Sequence, residues 1–163
     1  MSDFAPTEAR LDVTRAKYPD FPRSPAVLVR LVKHLFKEIH DEANVVMRPY
    51  GLNHAEYNIL MMLYGSPDNQ MHPSALAEAA GEKSANVTRL TTSLCEKGYV
   101  ARAGSDEDRR KVTLTLTPEG VALIEGFLPD IVTLLHRQTR NLTPSEQGQL
   151  ETLLKKMLAG FGD

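Results

Sequence analysis

Apolar residues recur every three or four positions along most of this chain and every second position in one short stretch, so helices with a single small ribbon are expected. Over residues 24–47, Leu28, Leu31, Val32, Leu35 and Ile39 make one continuous stripe. Ser24 is the expected N-cap, Pro25 fits the first turn, and Pro49 and Gly51 end the helix. Asn53 and Glu56 stand at capping-box spacing, and the helix after them is predicted to reach Tyr64 with Ile59, Leu60 and Leu63 inward. Pro73–Ala80 forms a shorter helix, and Gly81 gives a permissive turn before a helix that starts at Ser84 and buries Val87, Leu90 and Leu94. Its Ser84, Asn86, Thr88, Arg89 and Ser93 are expected on the polar side. Val112, Leu114 and Leu116 then alternate with Thr113, Thr115 and Thr117, the period of a strand with one buried face, and residues 104–111 are its turn.

Thr117 and Pro118 open the next helix, with Ile124, Phe127, Leu128, Ile131, Leu134 and Leu135 in register, and Pro129 is expected to kink it. The last helix begins with a second capping box, Thr143 to Glu146, and carries Leu150, Leu153, Leu154, Met157, Leu158 and Phe161 on one side. Residues 1–23 hold Pro6, Pro19 and Pro22 and no sustained period, so an extended or partly helical arm is expected there. The chain thus divides into the arm at 1–23, a first helix at 24–52, a helix-turn-helix with its ribbon at 53–117, and C-terminal helices at 118–163; the end helices are too apolar to stand alone and either pack on one another or act as dimerisation helices against a second chain. The fold class is mainly α with a small β-ribbon.

Two short helices around a glycine turn, followed by a ribbon whose tip holds Arg109, Arg110 and Lys111, have the layout of a DNA-binding winged helix. Short polar side chains near a helix start suit base edges in the major groove, whereas basic residues at a ribbon tip suit phosphates or a narrow minor groove. The overall charge of −2 makes no case for nucleic acid. Its distribution changes the picture. Residues 83–111 hold seven basic side chains against four acidic, a net +3 that leaves −5 on the rest of the chain. With 42% hydrophobic and 25% charged residues among 163, composition fits one globular intracellular domain, and a single cysteine excludes an internal disulfide. No apolar run reaches the length of a membrane span and residues 1–5 do not begin a signal peptide, so a cytoplasmic protein without membrane contact is expected.

In sequence order, Leu76-Ala77, the Ser84 helix, Lys97 to Val100, Ser105 to Arg110 and Leu116 to Gly120 resemble the MarR family, over about residues 24–160. Arg15, Asp20 to Pro22 and the wing segment at 105–110 look most like the branch that contains a multidrug-efflux repressor of enteric bacteria. The resemblance implies a homodimeric repressor on pseudo-palindromic, double-stranded operators, released by a small aromatic or phenolic acid. It implies no cofactor. Two recognition helices then have to match half-sites about 34 Å apart.

On this resemblance the DNA-binding candidates are Ser84, Asn86, Thr88, Arg89, Arg109, Arg110 and Lys111. Arg89 has two readings, a guanine contact or a phosphate contact; Asp106 or Asp108 has the chemistry to hold a wing arginine in a reaching geometry. Tyr57, Met61 and Met62, with His34 and Glu38, are candidates for an aromatic cavity, and each also suits ordinary core packing. Arg15 and Arg30 are candidates to pair with a ligand carboxylate, or equally surface or dimer-interface residues. Cys95 reads as a partly buried small side chain rather than a redox sensor, and the five histidines make no compact metal pair. No nucleophile-elbow motif is present, which argues against an enzyme. Two alternatives stay open: a metal- or redox-responsive winged-helix regulator, and a winged-helix protein-interaction module that binds no DNA.

Overall fold

The structure is a computed structural model that describes residues 4–104 and 112–162. It has two compact units, Met1–Glu42 and Ala43–Asp163. In the first unit the arm, expected to be extended or partly helical, holds one 13-residue helix, α1 (Ala5–Lys17). Pro6 lies in its first turn, where no backbone donor is needed, while Glu8 at the start and Arg15 and Lys17 at the end complement the helix dipole. Leu11 alone is buried on α1, so the helix shows too little apolar stripe to announce itself. The second helix, α2 (Arg23–Met47), places Ser24 and Pro25 inside its first turn rather than at its boundary. Arg23 forms an ion pair with Asp12 of α1. Leu28, Val32, Leu35 and Ile39 of the apolar stripe of α2 are exposed, as is Phe36, while Leu31 is half-buried.

In the second unit a short 3₁₀ turn, Arg48–Tyr50, ends at Gly51 with φ +69°, as the proline and glycine there require. α3 (His54–Tyr64) carries the complete Asn53–Glu56 capping box. β1 (Gln70–Met71), α4 (Pro73–Ala80), α5 (Ser84–Glu96), β2 (Val100–Gly104) and β3 (Val112–Leu116) follow. The three strands form an antiparallel sheet in the order β1-β3-β2. The ribbon expected from sequence is thus one strand short. β1 has only two residues, paired Gln70 to Thr115 and Met71 to Leu114, and a two-residue strand cannot display a period of two.

Ile59, Leu60 and Leu63 of α3, Leu76 of α4, and Leu90 and Leu94 of α5 are all fully buried and share one core with Leu114 of β3. α6 (Pro118–Thr139) and α7 (Pro144–Ala159) start at the expected caps, Thr117 and Thr143. α6 runs through Pro129 to Thr139; it adds Ile124 and Phe127 to the core, and its Asp130 accepts a 2.7 Å hydrogen bond from the Tyr50 hydroxyl. Gly120 lets α6 approach the sheet: a Cβ there would meet the Tyr99 carbonyl oxygen at 2.2 Å. α7 buries none of its residues. No helix among the described residues is long and apolar enough to cross a membrane.

Candidate nucleic-acid interface

α5 is positioned by its turn and by its buried side. Gly81 adopts φ +65°, and Glu82 N–H donates to the Ala77 carbonyl at 2.9 Å, a tight exit from α4. Asn58 of α3 donates to the Ala80 carbonyl at 3.3 Å and ties that turn to the core. Val87, Leu90 and Leu94 are buried as expected, together with Thr91, which the apolar pattern does not reveal. Ser84, Thr88 and Arg89 are exposed and Asn86 is half-buried. Thr88 and Thr92 hydroxyls donate to the carbonyls of Ser84 and Thr88, at 3.0 and 2.8 Å, so they lie back along the helix.

One residue of the expected polar face points elsewhere. Ser93 donates to Glu56 Oε1 at 2.8 Å, and Lys97 Nζ reaches the same oxygen at 2.7 Å and the Gly51 carbonyl at 3.0 Å. Glu56 also accepts from Asn53 N–H in the α3 cap. Burial by itself disfavours the Glu56 charge, but the bonds from Lys97, Ser93 and Asn53 outweigh it and hold the carboxyl below the ordinary glutamate range. A buried carboxylate thereby joins the start of α3 to the end of α5. Sequence showed Glu56 only as a capping residue, because its bonds to Ser93 and Lys97 span 37 and 41 positions.

The ribbon is anchored to α5 through Arg102 of β2, which donates to the Thr91 hydroxyl at 3.1 Å. Arg102 was not among the candidates; a basic residue on a strand of alternating small side chains gives no separate signal. β2 and β3 pair from Val100–Leu116 to Gly104–Val112. Arg109, Arg110 and Lys111, with Asp106 and Asp108, lie outside the described residues.

The effector candidates fall in two groups. Arg30 and His34 line one cleft of about 380 Å³ on the first unit, with Phe4, Thr7, Lys33, Phe36 and Lys37. Glu38 lies 3.9 Å from the His34 ring nitrogen, and Phe4 meets that ring edge-on at 5.8 Å. Arg15 is exposed on α1 and does not line the cleft. In the second unit Tyr57, Met61 and Met62 are half-buried against the core, with Tyr57 edge-on to Phe127 at 5.7 Å; burial raises its phenol above the usual range. Cys95 is half-buried and packed against the same core. Among the described residues no three His, Cys, Asp or Glu side chains are grouped to hold a metal.

A helix-turn-helix with an exposed polar second helix, buttressed by a three-stranded sheet, defines a winged-helix DNA-binding fold. The sequence pattern of the MarR family matches residues 50–111. The transcriptional repressor MprA of Escherichia coli K12 is 30% identical over 158 residues, spanning 97% of this chain and 90% of MprA. The chain belongs to the MarR family, and it is a transcriptional regulator, not an enzyme. Its fold is similar to that of an E. coli MarR mutant solved with operator DNA, at TM-score 0.76 and 27% identity over 85% of this chain and 99% of the other. BpsR of Bordetella bronchiseptica, whose DNA binding is regulated by 6-hydroxynicotinic acid, shares the fold at TM-score 0.70 and 24% identity, over 78% of this chain and 90% of BpsR.

Proposed function

We propose that this regulator is a homodimeric repressor that holds a pseudo-palindromic operator through α5 and the wing and releases it when a small aromatic or phenolic acid binds. The observation that carries the reading is the division of α5 into a buried apolar side and a polar side bearing Ser84, Asn86, Thr88 and Arg89. Arg109, Arg110 and Lys111 supply phosphate contacts from the wing. MprA is a repressor and the E. coli MarR mutant was crystallised on operator DNA, which supports the DNA target. Dimerisation is supported by the exposed stripes of α2 and α7, since leucines left in water on two-sided helices are the surface a second copy covers.

The effector class rests on chemistry. The cleft beside Arg30 and His34 combines cations with the Phe4 and Phe36 rings, which suits a flat acid, and BpsR responds to a hydroxylated aromatic acid. Tyr57, Met61 and Met62 are a second set of apolar contacts for such a ring, and Glu38 and Arg15 complete the candidate set.

Fluorescence titration of duplex DNA from upstream of the regulator's own gene, at two salt concentrations, tests the reading. Tight binding with a steep salt slope is expected, and Arg109→Ala or Arg110→Ala should flatten that slope by about one ion per lost phosphate contact. Added salicylate should weaken binding and, by linkage, bind free protein more tightly than complex. Absence of any salt-dependent DNA binding would return the protein to an interaction module.

A further inference from the structure

A hydrogen-bonded relay runs from the helix-turn-helix turn onto the polar face of α5. Glu82, in the turn, accepts from Asn86 Nδ2 at 2.7 Å, and Asn86 Oδ1 accepts from Arg89 Nη2 at 2.9 Å. The two bonds fix the Asn86 amide uniquely, because a carboxylate takes only the NH₂ end and a guanidinium meets only the oxygen. Glu82 and Asn86 are half-buried, whereas Arg89 is exposed. The relay therefore has a sheltered anionic end and an exposed cationic end.

We propose that Glu82 and Asn86 are positioning residues for Arg89, and that Arg89 is the guanine-reading side chain of α5. This rests on α5 being the recognition helix. An asparagine that reads adenine has to turn its amide oxygen and nitrogen together toward the base edge, and here the bonds to Glu82 and Arg89 hold the amide along the helix instead, although one hydrogen and one lone pair stay open. A guanidinium has five donors, so one bond to Asn86 leaves a fork for guanine O6 and N7. Holding one Nη restricts a flexible side chain before it meets DNA, which lowers the ordering cost of the contact. Asn86 thus leaves the list of base readers and joins the supporting framework. Glu82 acquires a role that no apolar pattern or basic patch announces, since a carboxylate beside DNA is otherwise repulsive.

Selection of duplexes from a randomised pool by the wild-type protein, followed by the same selection with variants, tests the relay one base pair at a time. Failure of the wild type to enrich any sequence would overturn the assignment of α5 as the reader, and the relay with it. With enrichment established, Arg89→Ala should erase preference at one pair in each half-site. Asn86→Ala and Glu82→Ala should weaken preference at that same pair by about tenfold, within the range one bidentate contact controls. Asn86→Ala combined with Arg89→Ala should match Arg89→Ala alone. Glu82→Gln, which keeps an acceptor oxygen, should restore most of the preference. Glu82→Ala should also bind nonspecific DNA more tightly, because a negative charge has gone. The relay is overturned if Asn86→Ala erases preference at a different pair, if it leaves every pair unchanged, or if it lowers all pairs equally in protein whose melting has shifted.

Discussion

The winged helix and α7 both carry leucines at helical spacing, yet they treat them in opposite ways. Leu60, Leu63, Leu90 and Leu94 are fully buried within the protomer, whereas Leu153 and Leu158 of α7 and Phe161 just after it are 63%, 69% and 76% exposed. One region completes its own core. The other carries a helical stripe that stays exposed among the described residues. Amphipathic period reports that a helix has an apolar side; it does not report whether that side is met by the same chain or by another. In the proposed dimer, which has to set the distance between two DNA-reading helices, this difference has a use. A region with its own core moves as a body, and a region that depends on association fixes where the body sits.

The largest expected effect attacks the uncovered side. Leu154→Asp with Leu158→Asp should weaken the proposed dimer by more than a hundredfold, since each leucine that a second copy buries is worth about 1.5–3 kcal/mol and a symmetric interface counts it twice. Sedimentation should show monomer at micromolar concentration with helix content retained by circular dichroism. An unchanged dimer would place self-association on other faces and end the contrast between the two regions.

Next is the self-contained region. Glu56→Gln removes the charge that joins the α3 cap to Ser93 and Lys97, and should cost about 1–3 kcal/mol at neutral pH in urea unfolding. Because the folded carboxyl titrates below its unfolded value, the wild-type advantage is complete above the ordinary glutamate range and is lost as pH falls through the folded value. The two proteins should therefore converge in acid. A difference that stays constant down to acid pH would mean that the charge contributes nothing.

A pair of glycine substitutions on α6 sharpens the comparison within one helix. Gly120→Ala drives a methyl into the Tyr99 carbonyl and should destabilise by about 1–3 kcal/mol. Gly126 has open space around its would-be Cβ, and Gly126→Ala should stabilise by about 0.5–1 kcal/mol through helix propensity. Equal effects in thermal melts would show that the sheet-facing and outer sides of α6 are not distinct. The wing substitutions come last, each expected to act through a single proposed phosphate contact.

Much of the architecture was legible because local chemistry decides it. Asn53 with Glu56, Thr117 and Thr143 marked helix starts, Pro49, Gly51 and Gly81 marked ends, and the threonine alternation from Val112 to Thr117 marked β3. α1 escaped notice because Pro6, with Pro19 and Pro22 beyond it, argues against a helix until Pro6 is known to sit in a first turn. Within the candidate site, the exposed polar face of α5 was legible from its spacing, while the wing tip lies outside the described residues. Spacing did not give the partners of those polar groups.

The sequence by itself determined the starts of α3, α6 and α7, the winged-helix order of elements and the family, each set by caps, periods and an ordered run of short motifs. Tertiary structure alone decided which polar residues face inward, as Ser93 and Thr91 do, and which apolar stripes stay open. It also bonded Lys97 to Glu56 and Arg102 to Thr91. The physical reason is range. Capping and periodicity act over a few residues, whereas burial and hydrogen-bond partnership depend on which segments the folded chain brings together.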